Sequence, residues 1–318
     1  MDRPSPQVVH VGSASRDVTS DDPRGWRLGG GATFGALTTA RLGIATGAIL
    51  GLDPVARDAV ELTWLREAGV DVVIVPLAEG PVFENRETSS GRVQTALAVG
   101  RPVDVAALPA AWRSARGWSF APVADELGDG WASVPGDGSV VALGWQGMLR
   151  ELRTGAVVAR RPPAERAPLR RADLVGVSEL DVPTGTAPEA LRRFLSPWAR
   201  LVMTRAHRGG IVVSPAPGGQ GLRVTGFEAV PAATEVDATG AGDVFLAAWL
   251  AATVEPSLAA DQDRGHDDAE VRALRFAAAA ASLSIEAAGL AAVPDHESVI
   301  ARASTVLLAA FRVPDLDG

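Results

Sequence analysis

The sequence predicts an α/β fold, with a mostly parallel central sheet and helices on both faces. Three observations lead there. Short apolar runs at 7–13, 70–75, 118–123 and 174–177 are spaced by helical stretches, and strand, helix, strand repetition builds a parallel sheet. Glycine turns at 29–31 and 240–242 each open an unbroken run of small and apolar residues, which reads as a helix whose mouth faces a ligand. The length of 318 residues suits one large α/β unit over 1–318 with a small lid or hairpin element around 76–100.

Composition narrows the chemistry. A net charge of -8 and a pI near 5.1 argue against nucleic acid as the main partner, because backbone affinity comes from clustered basic groups. There is no Cys, and the four His (His10, His207, His266, His296) lie far apart, so a zinc site is not expected. Every basic side chain is Arg, which rules out a P-loop lysine and a pyridoxal-phosphate Schiff base. No segment has the length of a membrane span and residues 1–6 lack a signal-peptide core, so no membrane partner and a cytoplasmic location are expected.

Taken in order, Gln7 to Ser13 reads as a buried strand, with Asp17 just past its carboxyl end, where ligands collect in open parallel sheets. The segment from Leu28 to Gly43 reads as a glycine turn, a small-residue helix and a glycine C-cap. Its glycines do not have G-x-G-x-x-G spacing, so a dinucleotide fold is not favoured. Leu62 to Ala68 and Val70 to Val75 give a helix and a strand, and Pro81 to Leu97 has the form of a hairpin with a Ser-Gly turn. The basic, proline-rich stretch 160–171 reads as a solvated loop. Leu201 to Val213 reads as strand, turn, strand, 255–270 as an exposed acidic loop, and 277–289 as a helix ending on Gly289.

The run from Glu235 to Trp249 carries the chemistry. Gly240 and Gly242 lack a Cβ, so the backbone can come close to an anion, and Ala241 keeps the loop slim. The following helix would point its first N–H groups at that anion. Asp243 is then either a helix cap or a general base that takes a proton from an acceptor hydroxyl.

Asp237 to Asp243 resembles the D-x-T-G-A-G-D signature of the ribokinase-like (PfkB-type) carbohydrate kinases. The resemblance extends in ordered pieces from Val8 to about Gly289. It implies a three-layer α/β/α fold with a reduced β lid, and transfer of the ATP γ-phosphoryl group to a sugar, polyol or cyclitol, with Mg2+ on the phosphates. Asp243 would be the base, and Gly240, Ala241 and Gly242 the anion hole. Asp17, Gly30 and Gly31 would meet the acceptor, with Phe34 where ribokinase carries Asn, and Phe83, Asn85 and Arg92 from the hairpin beside it. Thr204, Arg205, Gly209, Asp237, Thr239 and Ala281 would meet the nucleotide. Ser178 and Asp181 stand where the family shows N-x-x-E, which makes Asp181 an indirect magnesium residue, and Ala206 replaces the first Gly of a T-x-G-x-x-G element. The short spacer between Asp17 and the glycines resembles the myo-inositol kinase branch. A nucleoside kinase of the same family and a catalytically silent nucleotide-binding protein are the alternatives, and the chain would be a monomer or a homodimer.

Overall fold

A computed structural model describes residues 5–88, 91–216, 218, 221–260 and 269–306. In chain order the elements are β1 (Val8–Ser13), β2 (Ser15–Val18), β3 (Trp26–Gly29), α1 (Gly31–Arg41), β4 (Thr46–Leu52), α2 (Val60–Glu67), β5 (Asp71–Pro76), β6 (Pro81–Thr88), β7 (Gly91–Val99), β8 (Gly117–Phe120), β9 (Val140–Gly144), β10 (Arg150–Glu151), β11 (Ala156–Val157) and β12 (Ala159–Arg160). They continue with α3 (Ala167–Arg171), β13 (Leu174–Ser178), α4 (Pro188–Leu191), β14 (Arg200–Thr204), β15 (Gly210–Pro215), β16 (Leu222–Phe227), α5 (Ala241–Val254), α6 (Ala269–Ser284) and α7 (His296–Val306). No helix among the described residues is long and apolar enough to cross a membrane.

The expected parallel sheet is present with nine strands in the order β16-β15-β14-β13-β9-β8-β1-β4-β5. Pairing is parallel from β5 to β14, and only the β14–β15–β16 edge is antiparallel. Strand β1 lies between β4, which follows it in sequence, and β8, which arrives much later. Connections therefore diverge on either side of β1, and such a switch opens a crevice at the carboxyl ends of the strands.

Side-chain alternation assigns the two faces. In β1, Val8 joins a core formed with α1, α2, α5 and α6, whereas Val9 and Val11 join a second core rich in tryptophan, with Trp112, Trp118, Trp131 and Trp145. Helix α5 is apolar all round because it packs on α1, on α6 and on the sheet. His10 is fully buried on the α1 side, where Nε2 lies 3.0 Å from Thr39 Oγ1. Burial pushes its imidazole down to about 3.

A second sheet of five strands, in the order β11-β7-β6-β2-β3, forms the lid. The short spacer between Asp17 and the glycines holds the turn of the β2–β3 hairpin, and β2 then pairs in parallel with β6. In register across this sheet stand Asp17, Phe83 and Ala96, on one face. The β6–β7 hairpin forms as the spacing predicts, while its turn residues Ser89 and Ser90 lie outside the described residues.

Three local expectations need correction. Helix α6 stops at Ser284, five residues before Gly289, which at φ 64° opens a separate 3-10 turn instead of capping the helix. The basic stretch is not all loop, because Pro168 at the helix start favours α3. It is also anchored, since Arg161 and Arg166 both donate to Asp125 Oδ2 at 2.7 and 2.9 Å. The strand expected at 118–123 ends at Phe120, and the next residues form a loop. Of the acidic loop 255–270, residues 256–259 form a 3-10 turn and 261–268 lie outside the described residues.

Candidate active site

Two glycine turns converge beside the carboxyl ends of β1 and β8. Gly30 has φ 97°, and a Cβ there would sit 2.6 Å from Ser13 O, so both dihedral and space require glycine. At Gly31 a Cβ would fall 2.5 Å from Asp243 Oδ1 and 3.1 Å from Ala121 Cβ. The bare start of α1 is thus the surface on which the Asp243 carboxylate rests. Gly29 does the same for Asp17, whose Oδ2 would be 2.1 Å from an added Cβ.

The loop before α5 is held from below. Gly240 is left-handed at φ 84°, and the Phe34 ring lies where its Cβ would be, at 2.5–2.6 Å. Phe34 is only 3% exposed. Its ring is therefore occupied in supporting the loop and offers little face to an acceptor. By contrast, a Cβ on Gly242 would meet nothing within 4 Å, so the mouth of α5 is open. Asp237 Oδ1 accepts from Thr239 N at 2.9 Å, which fixes the turn ahead of the glycines.

The cap reading of Asp243 is not what the structure shows. The N-cap is Gly240, with no side-chain cap bond, and Asp243 sits in the first turn. Desolvation by burial pushes its carboxyl up to about 6; Arg150 opposes this, while the like charges of Asp181 and Asp17 add to it. A carboxyl in this range can exchange a proton near neutrality.

The other sequence-derived residues fall into three groups. Asp17 accepts from Ser15 Oγ at 3.1 Å and shares the lid face with Phe83, which is 2% exposed and packs against Val123 and Ala124. Asn85 Oδ1 is taken by Gln94 Nε2 at 2.9 Å. Arg92 lies in β7, and its side chain is outside the described residues. Thr204 ends β14, and Arg205 leads into a tight turn closed by its own N–H to Gly209 O at 2.7 Å. Ala206 in that turn has φ 49°, a left-handed residue where the resemblance expects glycine. Gly209 is required, since a Cβ would sit 1.9 Å from Phe227 O. Ala281 is half-buried on α6.

Asp181 is placed near the acid cluster but is already engaged. It closes a capping box with Ser178, accepting from Ser178 N at 3.1 Å and from Gln146 Nε2 at 3.1 Å. Burial raises its carboxyl above the usual range, and Arg150 counters this. Among the described residues no group of three His, Cys, Asp or Glu is arranged to hold a metal. The donor set thus does not fit a resident magnesium cage.

Sequence reasoning missed three residues. Glu126, 5% exposed, accepts from Ser13 N, Ala124 N and Val123 N at 2.7, 2.8 and 3.0 Å. It thereby ties the end of β1 to the loop after β8. Gln146 and Arg150 flank a turn in which Gly147 lies so close to Pro122 that a Cβ would be 2.1 Å from its carbonyl oxygen. The Arg150 guanidinium carbon stands 5.7 Å from the Phe83 ring centroid. None of these residues carries a periodic or motif signal of its own. The glycine within Gln146-Gly147-Met148-Leu149-Arg150 was the one available hint of a close approach.

Comparison with known proteins bears on this geometry. Residues 177–296 match the pfkB family carbohydrate kinase model. The matched stretch contains α5 with Asp243 and the strands of the antiparallel edge. A ribokinase of Arabidopsis thaliana is 44% identical over 72 residues, which is 22% of this chain and 16% of that relative. The alignment thus spans about a sixth of the curated relative's length. Among solved structures, a pyrophosphate-dependent kinase in the ribokinase family, complexed with a pyrophosphate analog and myo-inositol, has a TM-score of 0.69 at 21% identity, covering 92% of this chain and 99% of its own. Arabidopsis thaliana ribokinase complexed with ribose and ATP has a TM-score of 0.65 at 22% identity, covering 94% and 99%. The nucleoside kinase of Methanocaldococcus jannaschii has a TM-score of 0.65 at 13% identity, covering 95% and 99%. At these identities the likeness is one of fold, and the fold matches that of ribokinase-family structures.

Proposed function

We propose that this protein is a kinase that transfers a terminal phosphoryl group, from ATP in the first instance, to a hydroxyl of a sugar or cyclitol. The observation that carries the reading is the Asp243 carboxylate, laid on the bare Gly31 backbone and raised to about 6. In this reading Asp243 accepts the proton of the acceptor hydroxyl as its oxygen bonds to phosphorus. The bond from phosphorus to the bridging oxygen breaks, and the electron pair leaves with ADP. The backbone at Gly240, Ala241 and Gly242 meets the charge on the phosphoryl group. Asp17, fixed by Ser15 and Gly29, holds acceptor hydroxyls, and the lid face bearing Phe83 and Asn85 covers them.

The segment from Thr204 to Gly209 and the loop from Asp237 to Thr239 form the donor side, with Ala281 toward the base. Magnesium belongs to the donor as its counter-ion. The acceptor class follows from the hydroxyl-gripping carboxylate and from the sugar- and cyclitol-binding relatives of the same fold. A nucleoside acceptor is disfavoured because the Phe34 ring is occupied by Gly240.

A second donor, pyrophosphate, is favoured by one feature. The loop ahead of the signature is fastened to the end of α6, with Val236 N and Ala233 N donating to Ile285 O and Glu286 Oε1 at 2.8 and 2.6 Å. These bonds draw the loop onto the helix end that would flank a base, and a donor without a base needs no room there. The test is mass detection of phosphorylated product from a panel of cyclitols, sugars and nucleosides, with ATP or pyrophosphate plus magnesium. Product with either donor that is absent with Asp243→Asn supports the reading, and no product from any pairing overturns it.

A further inference from the structure

We infer that Arg150 meets the phosphoryl group in transit and is aimed by the Phe83 ring, so that the lid sheet takes part in completing the phosphate site. The inference rests on the kinase reading and adds a residue that the signature does not contain.

The geometry has three parts. Arg150 begins β10, directly after the turn whose Gly147 is wedged against Pro122. That wedge fixes the root of the side chain to the loop after β8. At the other end of the turn, Gln146 holds Asp181 Oδ1 at 3.1 Å. The guanidinium itself lies over Phe83, on the lid face shared with Asp17.

Electrostatics gives this placement a purpose. Asp243 lies within the fields of Asp17 and Asp181, and Arg150 is the cation that opposes them. A polyphosphate donor would add several negative charges to three carboxylates. A guanidinium is suited to this site because its planar fork can stay stacked on an aromatic face while donating to phosphate oxygens. Arg150 gives up no proton in the step. The proton goes from the acceptor hydroxyl to Asp243, and the electron pair goes to the leaving phosphate.

The contact to Phe83 makes the arrangement sensitive to the lid. Phe83 belongs to β6, which is paired with β2 and β7 in one sheet, whereas Arg150 follows the turn whose Gly147 is wedged against Pro122.

Calorimetric titration of the whole chain with magnesium pyrophosphate and with the β,γ-imido analogue of ATP tests this without requiring turnover. Arg150→Gln should bind the probe that wild type binds roughly ten- to a hundredfold more weakly, as loss of a charge-assisted contact does. Arg150→Lys should recover only part of that loss, and it is the variant to read if Arg150→Gln melts early. Phe83→Leu should weaken binding by about two- to fivefold, because a ring face is lost while the apolar packing is kept. In any turnover assay, the acid limb of kcat/KM should move to higher pH in Arg150→Gln, which a purely structural role would not cause.

Unchanged affinity in a well-folded Arg150→Gln overturns the inference, and unchanged affinity in Phe83→Leu overturns its lid arm. If wild type binds a probe, Arg150→Gln loses it, and no acceptor is ever phosphorylated, Arg150 stands as a phosphate contact only, and the kinase reading falls with the transit role. If wild type binds neither probe, both fall.

Discussion

The two glycine turns at the helix mouths look alike in sequence and have opposite fates in the structure. The turn before α1 is filled from inside: Ser13, Asp17 and Asp243 occupy the spaces where side chains at Gly30, Gly29 and Gly31 would be. The turn before α5 is supported on one side by Phe34 and left open at Gly242. The first therefore serves as a floor for two carboxylates, and the second, in the function proposed above, as a mouth for an anion. A glycine-rich helix start identifies a close approach; what approaches is decided by neighbouring elements.

The sharpest way to break this comparison is Asp243→Asn. Removing the base from the open mouth should lower turnover by roughly 10²–10⁴-fold, with donor affinity by calorimetry nearly unchanged. If most activity is retained, Asp243 is not the base.

Phe34→Ala removes the support beneath Gly240 and empties a buried site. It should cost about 3–5 kcal/mol of stability, read as a lowered denaturant midpoint. A loss well under 1 kcal/mol would mean that the loop holds itself without the ring.

Alanine at each turn separates floor from mouth. Gly31→Ala presses a Cβ onto Asp243 and Ala121, so it should cost roughly 1–3 kcal/mol and lower kcat. Gly242→Ala meets open space in a helical position, so stability should hold or rise by up to about 1 kcal/mol while donor affinity falls. If both variants lose stability equally in thermal melts, the two turns do not differ as described.

An acid titration sharpens the same contrast. Asp243 must be ionised to accept a proton, so kcat/KM should fall about tenfold per pH unit below about 6. His10, packed against Gly35 behind α1, acts on stability instead. Its folded value of about 3 lies below the unfolded 6.5. The unfolded chain therefore takes up a proton first, and stability is lost as pH falls from 6.5 toward 3, by about 1.4 kcal/mol per unit. His10→Asn should flatten that slope in denaturant melts at pH 4 and 7 while leaving the activity limb in place.

Much of the fold was legible because its signals are local. Short apolar strand runs, as in the fully buried β1, and glycine turns feeding apolar helices state their structure within a dozen residues. Helix α6 was misplaced at its end because an alanine-rich run has no intrinsic stop, and the break at Ser284 comes with bonds from Val236 and Ala233 to Ile285 and Glu286. The basic stretch read as loop because charge patterning does not show Asp125, some forty residues away in sequence, to which Arg161 and Arg166 are bound.

By itself, the sequence determined the parallel α/β class, the helix after Gly240 and the acid in its first turn, since propensity, alternation and the absence of a Cβ act within the chain's own neighbourhood. Tertiary structure alone decided that Phe34 supports a loop, that Asp181 is consumed in a capping box, and that Arg150 and Glu126 join the site. Those roles arise where strands distant in sequence end side by side, and burial and electric fields depend on distance through space rather than along the chain.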